Sequence, residues 1–279
     1  ILQTRRSSAD ARANIYPGNP ANSEPEEVEL LGLLSSDQLD GEYATVQSCA
    51  TWEESGGDSI FSGGTCTAVE RQAVPDPQGD YLYAINADSL DDPMAEVQMY
   101  HHLDKVARWF DDELGFSHPT AIQAIVNFTY RNAFFGDADD DGVGEVAFGQ
   151  TSQVDFAYDG DVVAHEYVHS VIDRVASVGF IGADSYGLEW AAGSLNEGSA
   201  DLFSVALYGD PALGEYAGPG FAAGASVRDV DADRRCPDDL YGEVHRDGLI
   251  WGSLGWNMIS DPLLGSIPAA TVAYGAALL

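Results

Sequence analysis

Asp161-Val162-Val163-Ala164-His165-Glu166-Tyr167-Val168-His169 is the stretch on which the reading of this chain turns. Its apolar positions continue through Val171, Ile172 and Val175 at helical spacing, so the segment from Asp161 predicts an amphipathic helix. Asp161 stands at its start, where the helix dipole favours an acid. Positions i and i+4 of a helix share a face. His165 and His169 have that spacing, and two imidazoles so placed can converge on one zinc ion at ~2.0–2.1 Å. Glu166 lies beside the pair but off the line joining it. There a carboxylate can take a proton from water instead of binding the metal. The plain alternative is that H-E-x-x-H arises by chance on an amphipathic helix.

A catalytic zinc needs a third protein ligand and an open position. Asn196-Glu197-Gly198-Ser199-Ala200-Asp201 opens the next predicted helix, with Asn196 as its expected cap. Glu197 and Asp201 are again at i and i+4. Glu197 can complete a His-His-Glu site, and Asp201 can accept the free ring N–H of a liganding histidine, fixing its tautomer. Without the upstream histidines both would read as solvent-facing helix acids. His245 begins a last predicted helix in Val244-His245-Arg246-Asp247-Gly248-Leu249-Ile250-Trp251. Hydrolysis of an amide puts charge on the carbonyl oxygen. His245 can donate to that oxygen, with Asp239 as a candidate orienting carboxylate. A lone histidine at a helix start also has an ordinary structural reading.

The 279 residues suffice for one large domain or two modest ones, and 45% apolar content is that of a globular chain. The 46 acidic residues against 12 basic ones give a net charge of -34. Binding to nucleic acid or to anionic membranes needs the opposite sign. The acidity reads either as a salt-tolerant, soluble extracellular surface or, in part, as calcium-binding acid. No stretch approaches the ~20 apolar residues of a membrane span. The chain starts at Ile1 without a signal peptide, as a processed product would. It ends on an apolar run at Leu279 without a stop signal, so the natural polypeptide is expected to continue. Cys49 and Cys66 could close a small loop in an oxidising compartment, or all three cysteines, Cys236 included, could be unpaired.

The first ~90 residues read as loops with strands at Val28–Leu34, Glu42–Gln47 and Tyr81–Ile85. Asp92-Pro93 opens a helix that runs to Gly115. Strands are expected over Ala121–Tyr130 and at Glu145–Phe148. Between them, Asp137, Asp139 and Asp141 with Gly142 look like the opening of a calcium loop, but Phe148 stands where such a loop needs its bidentate glutamate. A solvated acidic turn is the competing reading.

Four stretches, 131–135, 161–169, 196–201 and 244–251, occur in the order found in thermolysin-like zinc peptidases, and the chain resembles that family, most of all its fungalysin group. The resemblance covers roughly residues 93–260; the first ~90 residues match nothing as sharply. It implies an α+β fold, with a strand-rich N-terminal lobe over 1–160, a helical lobe over 161–279, and zinc in the cleft between them. It implies zinc ligands His165, His169 and Glu197, Glu166 as base and His245 at the oxyanion. Asn132 and the carbonyl of Ala133 would hold the substrate as an added strand, and Arg228 would grip a substrate carbonyl. The 27 residues between His169 and Glu197 (positions 170 to 196) exceed thermolysin's spacing and are nearer fungalysin's. The chain after His245 is short for the family.

These readings lead to a secreted, monomeric zinc endopeptidase acting on proteins or peptides. A zinc aminopeptidase and a non-catalytic pseudopeptidase that binds protein partners are the rivals.

Overall fold

A computed structural model describes residues 11–54, 64–136, 138–139, 144–176, 178, 181–184, 187–221 and 224–261. Four strands come first: β1 (Arg12–Ile15), β2 (Glu26–Glu29), β3 (Ala44–Glu54) and β4 (Gly64–Glu70). Helix α1 (Pro93–Leu114) then leads to β5 (Ile122–Val126), β6 (Ala133–Gly136) and β7 (Glu145–Phe148). Helix α2 (Gly160–Val175), the short strands β8 (Gly182–Asp184) and β9 (Gly187–Glu189), and helix α3 (Ala191–Tyr208) follow. The described chain closes with β10 (Ala212–Leu213), the single turn α4 (Gly218–Phe221), β11 (Arg228–Asp229) and α5 (Val244–Ile259).

β4, β3, β5, β7 and β6 form one mixed sheet in that order. β3, β5 and β7 run parallel, while β4 and β6 close the two edges antiparallel. Parallel neighbours need a crossover, and α1 supplies the one from β3 to β5. Its ends obey local chemistry. The Asp92 side chain accepts the Met94 N–H, Pro93 fills the first helical position, and Gly115 stops the helix at φ 68°. Val97, Tyr100, Leu103, Val106 and Phe110 are buried along its inner face, in one cluster with Val46, Ala124 and Val146 of the sheet. The same cluster continues into Val163, Tyr167 and Val171 of α2 and Leu202 and Val205 of α3. The fold is thus the α+β arrangement expected from the sequence.

Cys49 and Cys66 form a disulfide between β3 and β4, while Cys236 is a free, exposed thiol. Tyr81–Ile85 is not a strand: only an isolated bridge from Tyr81 to Ala13 forms there. Of Asp137, Asp139 and Asp141, only Asp139 is among the described residues, so the candidate calcium turn lies largely outside them. No described helix is long and apolar enough to cross a membrane.

Candidate metal centre

Helix α2 is buried along nearly its whole length, so its two histidines point into protein. His165 Nε2 and His169 Nε2 stand 3.0 Å apart. The Glu197 carboxylate approaches both, at 3.3 Å from His165 and 3.6 Å from His169. All three side chains are buried, and Glu197 Oε2 makes no hydrogen bond. Four tetrahedral ligand atoms at zinc bond lengths of ~2.0–2.1 Å would lie roughly 3.3 Å from one another. The three groups therefore fit a zinc ion by distance, by donor type and by the unsatisfied carboxylate oxygen.

Each histidine is held from behind. His165 Nδ1 lies 2.9 Å from Asp201, and His169 Nδ1 donates to Asn196 Oδ1 at 2.8 Å. Asn196 was expected as a helix cap, but α3 begins five residues earlier, at Ala191. Asn196 therefore sits inside the helix, where its amide also donates to the Val178 carbonyl. Burial acts to lower the His165 pKa. Its contacts with Asp201 and Glu197 outweigh burial and hold the ring at about 9. Burial acts to raise Glu197 and Asp201, yet their cationic neighbours keep both carboxyls below the ordinary range.

Arg228 on β11 forms a forked pair with Asp201, Nε to Oδ2 at 2.8 Å and Nη2 to Oδ1 at 2.7 Å. Nη2 also lies 3.4 Å from His165 Nε2 and 3.9 Å from Glu197. Arg228 is thus spoken for at two of its nitrogens by the carboxylate that orients His165. Glu166 is buried next to the histidines and lies within electrostatic reach of Arg228.

His245 lies on the first turn of α5, half-exposed, with Nε2 3.4 Å from Glu197. Its Nδ1 is 2.6 Å from Glu243, not from Asp239. The Asp239 assignment is therefore corrected: that carboxylate accepts the Arg235 backbone N–H at 2.8 Å. Glu243 caps α5, accepting the N–H groups of His245 and Arg246, so the cap that starts the helix also aims the ring. Asn132 immediately precedes β6, the outermost strand, and Ala133 opens it. β6 pairs with β7 on one side, ends the sheet on the other, and packs beside α2, the helix that carries the histidines.

A second cation-capable group lies at the start of α2. Carboxylate oxygens of Asp159, Asp161 and Glu215 fall within 4.8 Å of one another. Burial raises Asp159 to about 6 and Asp161 well above the usual range. The sequence singled out Asp161 as a helix-start acid and, by the family resemblance, as the one recognisable counterpart of thermolysin's clustered calcium acids.

No protein-family model and no curated protein matches the chain. Among solved structures it is similar to the precursor of protealysin, a metalloproteinase from Serratia proteamaculans. The TM-score is 0.51 at 14% identity, over 98% of this chain and 75% of that one. The shared feature is the thermolysin-like fold, and within that fold this chain carries a buried His-His-Glu group that can hold a metal ion.

Proposed function

We propose that the chain is a secreted zinc endopeptidase that hydrolyses internal peptide bonds of proteins. The observation that carries this reading is the convergence of His165, His169 and Glu197, with His245 facing the same carboxylate. In this reading those three residues hold zinc, which when bound polarises a carbonyl and acidifies water. Glu166 takes the proton of the attacking water and delivers it to the leaving amine. His245, braced by Glu243, donates from Nε2 to the carbonyl oxygen as charge develops there. Asp201 and Asn196 keep both liganding rings in the tautomer that presents Nε2. Asn132 and Ala133 would align the peptide along β6 as an added strand. Arg228 keeps its expected contact with a substrate carbonyl as a second task beside its pairing with Asp201. Calcium belongs to the same reading, at Asp159, Asp161 and Glu215, where a divalent ion would neutralise two buried carboxylates.

Glu166→Gln tests the mechanism. The expected variant keeps equimolar zinc but loses casein hydrolysis by about 10³-fold or more, as removal of a general base from such a site does. Undiminished hydrolysis with zinc retained would remove Glu166 from the mechanism. Comparison of an N-acetylated peptide with its free-amine twin separates endopeptidase from aminopeptidase, and equal cleavage is expected.

A further inference from the structure

Beside the metal centre opens a cleft of about 340 Å³ lined by Val227, Arg228, Arg234, Asp239, Tyr241, His245, Arg246 and Leu249. It adjoins the centre directly, because Arg228 and His245 both approach Glu197. A few hundred cubic ångströms accommodate an amino-acid side chain with its flanking backbone. The charge of the lining is unusual for this chain. The whole sequence has 12 cations against 46 acids, yet the lining of this one cleft holds three arginines and one carboxylate, Asp239.

The three arginines differ in their commitments. Arg228 is neutralised by Asp201. Arg234 has Asp239 at 3.7 Å, a loose contact, and is 41% exposed. Arg246 pairs with no carboxylate among the described residues; its guanidinium stacks 4.7 Å above the Tyr241 ring. An aromatic face orients an arginine without cancelling its charge. Residues 245, 246 and 249 share one side of α5, so His245, Arg246 and Leu249 line the cleft together. The cleft therefore offers an exposed guanidinium, stacked on Tyr241 and without a carboxylate partner among the described residues, one residue from His245.

We propose that this cleft is a specificity pocket for an acidic substrate residue, in which Arg246, seconded by Arg234, pairs with an Asp or Glu side chain close to the scissile bond. The inference rests on the peptidase reading and names its substrate class. A body of net charge -34 repels acidic peptides at long range. A preference for Glu over neutral Gln would thus run against the field of the whole molecule and could come only from local cations. Guanidinium and carboxylate also match as a two-point hydrogen-bonded pair, which Gln cannot reproduce.

The test uses the full zinc-loaded chain and internally quenched peptides carrying Glu, Gln or Leu at each position around the cleaved bond. Casein hydrolysis is measured in parallel. At one position kcat/KM is expected to favour Glu over Gln by about tenfold at low salt, the effect shrinking as salt screens the pair. In Arg246→Gln the Glu/Gln ratio should fall to within twofold of one, whereas Arg246→Lys should keep part of it. Circular dichroism and zinc content of each variant verify the fold. Casein cleavage with equal use of Glu and Gln at every position would overturn the pocket and leave the peptidase standing. So would a Glu preference that survives both Arg246→Gln and Arg234→Gln. If neither casein nor any peptide is cut, both readings fall.

Discussion

At His165 the site is poised between a proton and a metal. Burial disfavours the imidazolium, but Asp201 and Glu197 outweigh burial and hold its pKa at about 9. At pH 7 the metal-free ring is therefore protonated, and a cation arriving between the histidines must displace that proton. Calorimetry in buffers of different ionisation heat should show about one proton released per zinc bound at pH 7. Affinity should rise roughly tenfold per pH unit and level off near pH 9, the position set by His165. The stability of the metal-free protein moves oppositely. A raised imidazole pKa stabilises the fold fully below the unfolded value of ~6.5, and that contribution fades as pH rises through about 9. Proton release near zero at pH 7 would mean that the ring is neutral before metal arrives. The convergence of His165, His169 and Glu197, with Asp201 behind His165, was legible in the sequence because helical spacing places these residues. Asn196 and Glu243 were not. An acceptor at a ring Nδ1 has no fixed spacing from its histidine, and Asn196 was hidden by its resemblance to a cap.

Bringing Glu197 of α3 next to His245 of α5 requires two helices to touch backbone to backbone, and glycine permits it. A Cβ on Gly198 would meet the Gly248 carbonyl oxygen at 2.3 Å, and one on Gly255 would meet Leu202 at 2.2 Å. Gly198 adjoins Glu197, so a methyl there must push α5, and His245 with it, away from that carboxylate. Gly198→Ala should destabilise the protein by about 1–3 kcal/mol despite alanine's better helix propensity. It should also lower kcat more than zinc occupancy, read by metal analysis beside casein turnover. An alanine variant as stable and active as the parent would mean that the crossing is loose. The start of α2 has its own dependence. Asp159, raised to about 6, and Asp161, raised further, favour the protonated form in the fold. In zinc-loaded, calcium-free protein the Asp159 contribution is full below ~3.8 and disappears as pH rises through about 6, and Asp161, raised by the same burial, acts in the same direction. Added calcium should restore Tm by several degrees at pH 7 and scarcely at all at pH 4.5, with Glu215→Gln blunting the gain. At the level of elements, α1 could be read from its caps and periodicity and α5 from its run of apolar residues. β4 and β6 could not. Their four to seven residues lack clean alternation, and they are strands because β3 and β7 offer them a ladder.

Across the whole molecule the acids outnumber the bases almost fourfold, and this ratio fixes the sign of a salt effect. Like charges on a folded surface repel more than in an extended chain, so net charge destabilises the compact state. Salt shortens the range of that repulsion from ~10 Å at 0.1 M to ~3 Å at 1 M. The same screening weakens attractive pairs, and the balance depends on where those lie. Arg108–Asp104 and Arg228–Asp201 have carboxylates almost wholly out of solvent and are little affected. Arg235–Asp233, exposed on both sides, loses strength, but a fully exposed pair contributes little to begin with. With 12 cations available, most acids have no partner to lose. Melting of the zinc-loaded protein should therefore shift upward by several degrees between 0.05 and 1 M NaCl, with KCl giving the same curve. Replacing five exposed, unpaired acids by their amides should flatten the curve and raise Tm at low salt. A Tm that is flat or falls with salt would show that attractive pairs, few as they are, outweigh the repulsion of the acidic surface.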